Sequence, residues 1–362
     1  MARVRIALGP SGPFSDGMGE SMSPAFARRV LVPPASKSTS RTRKAFSLVL
    51  FLVLVAGGGL ALGPLWAMLH PSGRTVGPSK TGAAPSAAAA RTPSASTRRP
   101  ATSGLLFDAF HYTGPSDPAL QAHGWQVRTS AGGPGISSTW SSSGVSFPSV
   151  ASAQGGQAMQ LQVRTDGTRP GTTQSELRST QSSFQNGTYA ARVYFTDGPA
   201  VGQNGDHINE SFYTISPSTT ITPYSELDYE YLPNGGWGDP RSVLDTVSWH
   251  STAQGDRVYH PQYTRLHGWH LLTITAQDGR TTYALDGNTI FTNDAAHSPR
   301  GPMDVEFSTW LIDLPFTGIR TWNMQVNWFY YQAGKAQTLQ QIQTAVSHYY
   351  TSGTYYLNTL GH

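Results

Sequence analysis

No cysteine occurs among the 362 residues, so no disulfide framework holds this chain together. Acidic residues are nearly absent from one end. Residues 1–104 carry thirteen Lys and Arg against only Asp16 and Glu20, whereas residues 105–362 carry twelve against nineteen, a net charge of −7. The formal +4 of the whole chain therefore belongs to its N-terminal stretch. The acidic remainder lacks the clustered basic face that phosphate binding needs, which excludes nucleic acid as its partner. Internal repeats are lacking as well, and the length allows one large or two ordinary domains.

A single long apolar run interrupts the polar texture: AFSLVLFLVLVAGGGLALGPLWAML, Ala45 to Leu69, with no charge in it. About twenty apolar residues span a bilayer as a helix, so residues 45–69 read as a transmembrane signal anchor. Arg28, Arg29, Lys37, Arg41, Arg43 and Lys44 precede it, and only Arg74 and Lys80 follow closely. The positive-inside rule then expects a single-pass membrane protein with its N-terminus in the cytoplasm and its C-terminal part extracytoplasmic. Cleavage as a signal peptide, giving a secreted protein, is the competing reading; a 44-residue leader without a clean small-x-small site favours the anchor. Residues 1–44 read as a disordered basic tail. Residues 70–103, rich in Pro, Ala, Ser and Thr with neither aromatic nor acid, read as a flexible linker.

Beyond residue 103 the texture changes to Tyr, Trp, Thr, Ser and Gly in short alternating runs, which predicts an all-β sandwich or barrel. Strands are expected at 157–165, 189–196, 210–216, 225–232, 242–250, 269–277, 280–287, 303–312 and 324–332. Asp-Gly turns at 277–280 and 285–288 should close tight hairpins. TLQQIQTAVSHYY (338–350) alone reads as helical, with Leu339, Ile342 and Val346 on one stripe packed at the domain's edge.

Within SELDYEYL (225–232), Glu226, Asp228 and Glu230 occupy alternate positions and so share one strand face, with Leu227, Tyr229 and Tyr231 on the other. Three like charges on one face repel, and no basic residue is interleaved with them. A solvated acidic face or a calcium site are the bland accounts. The functional account is that crowded carboxylates drive one another's protonation apart, so that one stays ionised while another keeps its proton. That division is what a retaining glycosidase requires of a nucleophile and an acid/base about 5–5.5 Å apart. Full extension sets the Cα atoms of Glu226 and Glu230 about 13 Å apart, so their side chains would have to lean inward.

The Glu226-Leu-Asp-Tyr-Glu230 run resembles the signature of glycoside hydrolase family 16. NGTYAARVYF (186–195), LHGWHLLTITAQDGRTTYALDGNTI (266–290) and MQVNWFYYQ (324–332) resemble that family's other landmark strands, in the family's order. The resemblance implies a concanavalin A-like β-jelly roll over 104–335, with residues 336–362 as a C-terminal helix and tail packed on it. It implies an O-glycosyl hydrolase of the β-glucanase type, with Glu226 as nucleophile, Asp228 as its helper and Glu230 as acid/base. The expected action is retaining endo-hydrolysis of a β-linked polysaccharide, a β-1,3- or mixed-linked glucan. No cofactor is expected beyond a structural calcium ion whose ligands are unnamed, and the protein is expected to be monomeric. Transglycosylation and a non-catalytic carbohydrate-binding jelly roll are the alternatives.

Sugar faces stack on aromatic rings, so Trp237, Trp249, Trp310 and Trp322 are substrate-binding candidates, together with Tyr224, His250, Arg178 and Glu176. Trp269 and Trp328 are assigned to packing. Two departures from the family pattern bear on specificity: Phe212 and Tyr213 stand where a Trp-rich run is common, and Asn327 where Asp is common.

Overall fold

The structure, a computed structural model, describes residues 100–218, 223–252 and 255–361. The expected tail, anchor and nearly all of the linker lie outside these residues; among the described ones, no helix is long and apolar enough to cross a membrane. In chain order the strands are β1 (Leu105–Asp108), β2 (Trp125–Val127), β3 (Val145–Ser146), β4 (Met159–Thr165), β5 (Ser175–Ser179), β6 (Gly187–Phe195), β7 (Ile208–Ile215), β8 (Glu226–Leu232), β9 (Val243–Ser251), β10 (Asp256–Gln262), β11 (Gly268–Gln277), β12 (Arg280–Leu285), β13 (Asn288–Thr292), β14 (Asp304–Leu311), β15 (Arg320–Ala333) and β16 (Tyr356–Asn358). Among the described residues two α-helices, α1 (Pro118–Ala122) and α2 (Leu339–Thr351), accompany them.

The strands form two antiparallel sheets. One has the order β10-β9-β8-β7-β14-β5-β2; the other runs β13-β12-β11-β6-β15-β1-β16, with β4 on β15 and β3 on β4. Alternation along each strand builds the core between them. From β8 it sends Leu227, Tyr229 and Tyr231 inward, where they join Phe212, Phe307 and Leu177 of the same sheet and Tyr189, Ile274 and Phe329 of the other. The Tyr229 hydroxyl lies 2.9 Å from the carbonyls of both Thr273 and Ala284, so the strand carrying the acids is tied by hydrogen bonding to the opposite sheet. Both Asp-Gly turns have the backbone they need: φ is +52° and +69° at Asp278 and Gly279, and +50° and +83° at Asp286 and Gly287, the left-handed pair of a tight hairpin turn.

Helix α2 begins with a reciprocal capping box between Thr338 and Gln341. It lays Ile342 and Val346 onto Phe107, Ala190, Trp328 and Tyr330, which places it on the outer face of the nine-stranded sheet instead of at an edge. The tail after it adds β16 to β1. Helix α1 was not expected, although its local signals are present: Asp117 caps it by accepting from Ala119 N at 2.9 Å, and Pro118 occupies its first turn. Ala101 is buried, and its N–H donates to the Ser183 carbonyl at 2.9 Å, so chain assigned to the linker touches the sandwich.

Alternation on β1 also sends a carboxylate inward. Asp108 accepts from Phe110 N at 2.7 Å, from Trp125 Nε1 at 2.8 Å and from the Tyr112 hydroxyl. Burial outweighs these donors and pushes its pKa from 3.8 to about 7. A raised carboxyl pKa means that the folded state keeps a proton the unfolded chain releases above about pH 4. The associated stability is complete below about pH 4 and is lost as pH rises to about 7. An Asp108→Asn variant, which cannot titrate there, should lose less stability than the parent between pH 4 and 8, by a few kcal/mol, as read from urea midpoints. Equal pH slopes for the two proteins would mean that Asp108 titrates alike folded and unfolded.

Candidate active site

Glu226, Asp228 and Glu230 project from β8 to the face opposite the core. The register names their neighbours. Glu226 sits between Trp249 on β9 and Ile215 on β7, Asp228 between Val247 and Tyr213, and Glu230 between Asp245 and Ser211. Tyr213, Ile215, Tyr224, Val247 and Trp249 form a second buried cluster on this face, separate from the inter-sheet core. The acids are therefore set among aromatic and aliphatic side chains. All three line one cleft with Pro134, Ser211, Tyr213 and Trp310.

Each carboxylate has its own donor. Tyr224 donates its hydroxyl proton to Glu226 Oε2. Trp249 Nε1 donates to Asp228 Oδ2 at 3.1 Å, and Asn209 Nδ2 donates to Glu230 Oε1 at 2.8 Å. Asp228 Oδ1 is buried with no hydrogen-bond partner among the described residues. Burial first, and then the charges of Glu226 and Glu230, push the Asp228 pKa well above the usual carboxylate range. Burial raises Glu230 as well, opposed by the Asn209 hydrogen bond and the charge of Arg257. Partly buried Asp245, facing Glu230 across the ladder, is raised to about 7 by burial and by that neighbour. The site thus disfavours the ionised forms of Asp228 and Glu230, in each case chiefly by burial.

The acids are not without a counter-charge. Arg257 of β10 stacks over Trp249 at 4.5 Å and favours the ionised forms of Asp228, Glu230 and Asp245. Nothing in the sequence around residue 228 announces it, because it arrives two strands away through the register Arg257↔Trp249↔Glu226. Asn209 and Ser211 were likewise overlooked, although alternation along NESFYTI puts them on the same face as Tyr213. Phe212, proposed with Tyr213 in place of a Trp-rich run, turns into the core.

The other expected contacts divide. Tyr224, Trp249 and Trp310 belong to the acidic face. Trp237 lies in the turn after β8 at φ +49°, 38% exposed, with its ring 6.2 Å from that of Trp310. Positive φ is an outlier for so bulky a residue. Trp322 is corrected: it is on β15 of the other sheet, fully buried, and donates to Asp206 Oδ2 at 2.9 Å. His250 is corrected too, because it follows Trp249 on β9 and alternation sends it to the other face, where it meets Asp256 at 3.5 Å. Glu176 is buried and taken up by Arg128 at 3.0 Å, with the Tyr213 hydroxyl at 3.2 Å, and it is not among the residues lining the cleft. Arg178 is held by Gln126 of β2 at 2.9 Å. Trp328 packs under α2, whereas Trp269 is half-buried between Arg192 and Ser152. Asn327 is a fully buried junction on the nine-stranded sheet, accepting from Arg192 and donating to Gln154 O and Gln157 O.

No protein-family model matches the chain, and no curated protein matches it in sequence. Solved structures do resemble it. A Bacillus licheniformis β-glucanase aligns at 20% identity over 64% of this chain and 99% of its own, with a TM-score of 0.47. A glycoside hydrolase family 16 endo-glucanase from Bacteroides ovatus aligns at 14% identity over 62% and 98%, TM-score 0.47. A laminarinase from Flavobacterium sp. UMI-01 aligns at 18% over 62% and 98%, TM-score 0.46.

Among the described residues, the group of three or more His, Asp or Glu with converging ligand atoms is His250, Asp256 and His297, whose two imidazoles do not suit an oxygen-seeking ion.

Proposed function

We propose that the protein is a retaining endo-glycosidase that cleaves internal bonds of a β-1,3- or mixed-linked glucan, on a jelly-roll scaffold held outside the membrane by residues 45–69. One observation carries the reading: Glu226, Asp228 and Glu230 line a single cleft walled by Tyr213 and Trp310. Glu226 attacks the anomeric carbon while Glu230 gives its proton to the departing glycosidic oxygen, leaving a glycosyl ester on Glu226. Glu230, now ionised, takes a proton from water, whose oxygen displaces Glu226 from the sugar. Asp228, whose proton is held by burial and then by the charges of its neighbours, can donate that proton to the ionised nucleophile. The raised pKa of Glu230 supports the acid role, since the group must hold its proton at working pH. The glucan assignment rests on the resemblance of the motif-bearing strands. Interception of the glycosyl ester by a sugar hydroxyl would turn the same chemistry into transglycosylation.

Offering the protein β-1,3-glucan, mixed-linked glucan and β-galactan, with released reducing ends and product anomers followed by NMR, tests this. Short oligosaccharides from a glucan, first appearing as the β-anomer, are expected. First products in the α configuration would exclude the double displacement, and binding without release would make the domain a carbohydrate-binding module.

A further inference from the structure

We propose that His250, Asp256 and His297 form a binding site for one divalent metal ion of the zinc class, tying the β9–β10 hairpin to the short turn Ala295–His297 that precedes β14. His250 Nδ1 lies 3.5 Å from Asp256 Oδ2 and His297 Nε2 lies 3.2 Å from Asp256 Oδ1. All three ligand atoms fall within 4.8 Å of one another. The imidazole rings stand at 84° with centroids 5.9 Å apart, so they meet edge to face and each turns a nitrogen toward the same carboxylate.

The second nitrogen of His297 makes the case specific. Nδ1 is 2.8 Å from Asp294 Oδ1. If its proton is donated there, Nε2 presents a lone pair to a carboxylate oxygen, and two lone pairs at that distance repel. A cation between them removes the repulsion, and carboxylate–histidine–metal is the arrangement that fixes tautomer and ring orientation in metal sites. The alternative is an imidazolium that simply ion-pairs with Asp256.

The ligands are also held in advance. Asp294 caps the Ala295–His297 turn and accepts from His297 N at 3.1 Å. Arg300 anchors the backbone of His250 by donating from Nη2 to its carbonyl at 2.5 Å and to that of Tyr224 at 2.7 Å. His297 is 11% exposed, against 34% for His250 and 43% for Asp256, so an ion can enter from solvent. Two imidazoles and one carboxylate suit zinc better than calcium or magnesium, and three protein ligands leave a fourth tetrahedral position for water. The inference stands apart from the glycosidase reading, since no step of that chemistry uses these side chains.

The full chain, stripped with a chelator, is titrated with Zn²⁺ against a chromophoric competitor, and its thermal midpoint is recorded with and without the ion. Saturable uptake at this site and a raised midpoint are expected. His297→Ala should weaken that uptake at least 100-fold, and Asp294→Asn, which alters only an exposed carboxylate outside the ligand set, about 10- to 100-fold. Circular dichroism checks that both variants fold; should His297→Ala not fold, Asp294→Asn alone decides. Zinc uptake and thermal shift equal in parent and folded variants would overturn the proposal, as would an equal stabilisation by Ca²⁺. Absence of saturable binding would overturn it as well.

Discussion

Replacing Glu226 by Gln should lower the rate of reducing-end release from the preferred glucan by at least about 10³-fold while leaving glucan affinity nearly intact. The amide matches the carboxylate in size and can still accept from Tyr224, so the packing of Tyr213, Ile215, Tyr224, Val247 and Trp249 is undisturbed. What disappears is the electron pair that attacks the anomeric carbon. Glu230→Gln removes the proton donor instead, and general acid catalysis is worth roughly 10²–10⁴-fold. Its effect should be largest on natural glucan, whose leaving alcohol needs the proton, and small on aryl glycosides whose phenolate leaves unaided. Activity of the parent should fall as pH rises through the elevated Glu230 pKa. A Glu226→Gln variant as active as the parent would remove Glu226 from the mechanism altogether.

Phe307→Ala should destabilise the sandwich by about 3–5 kcal/mol, the usual cost of deleting a fully buried phenyl ring. Phe307 stacks on Phe212 with centroids 5.0 Å apart and 12° between planes, and meets Phe110 and Phe329 edge-on at 5.8 and 6.0 Å. These partners come from the chain between β1 and β2 and from both sheets, so the cavity would open where three layers of sequence meet and none could close it alone. For a domain of this size the loss corresponds to a fall in thermal midpoint on the order of 10 °C. A drop below about 1 kcal/mol would mean that the centre collapses into the space, and would place the main inter-sheet adhesion elsewhere.

Legibility in the sequence followed the strength of local pattern. Strands such as β8, β11 and β14 alternate over seven or more residues or end in Asp-Gly turns, and their period is a property of the strand itself. Strands β1, β2, β3 and β16 have two to four residues, too few to show a period, and exist because a neighbouring edge pairs with them. Trp237 and Trp322 illustrate the same limit: both are lone tryptophans, yet one lies half-open beside Trp310 and the other is buried on Asp206 in the opposite sheet.

By itself the sequence determined that the folded part is all-β and acidic, and that Glu226, Asp228 and Glu230 share one strand face, because a two-residue period suffices for each. Only the tertiary structure decided what surrounds that face. Arg257, Asn209 and Asp245 reach it through strand register, and His250 leaves it to meet Asp256 and His297. The reason is physical: side-chain direction is set residue by residue along a strand, whereas the charges and donors that govern protonation come from strands whose pairing is fixed only when the two sheets close.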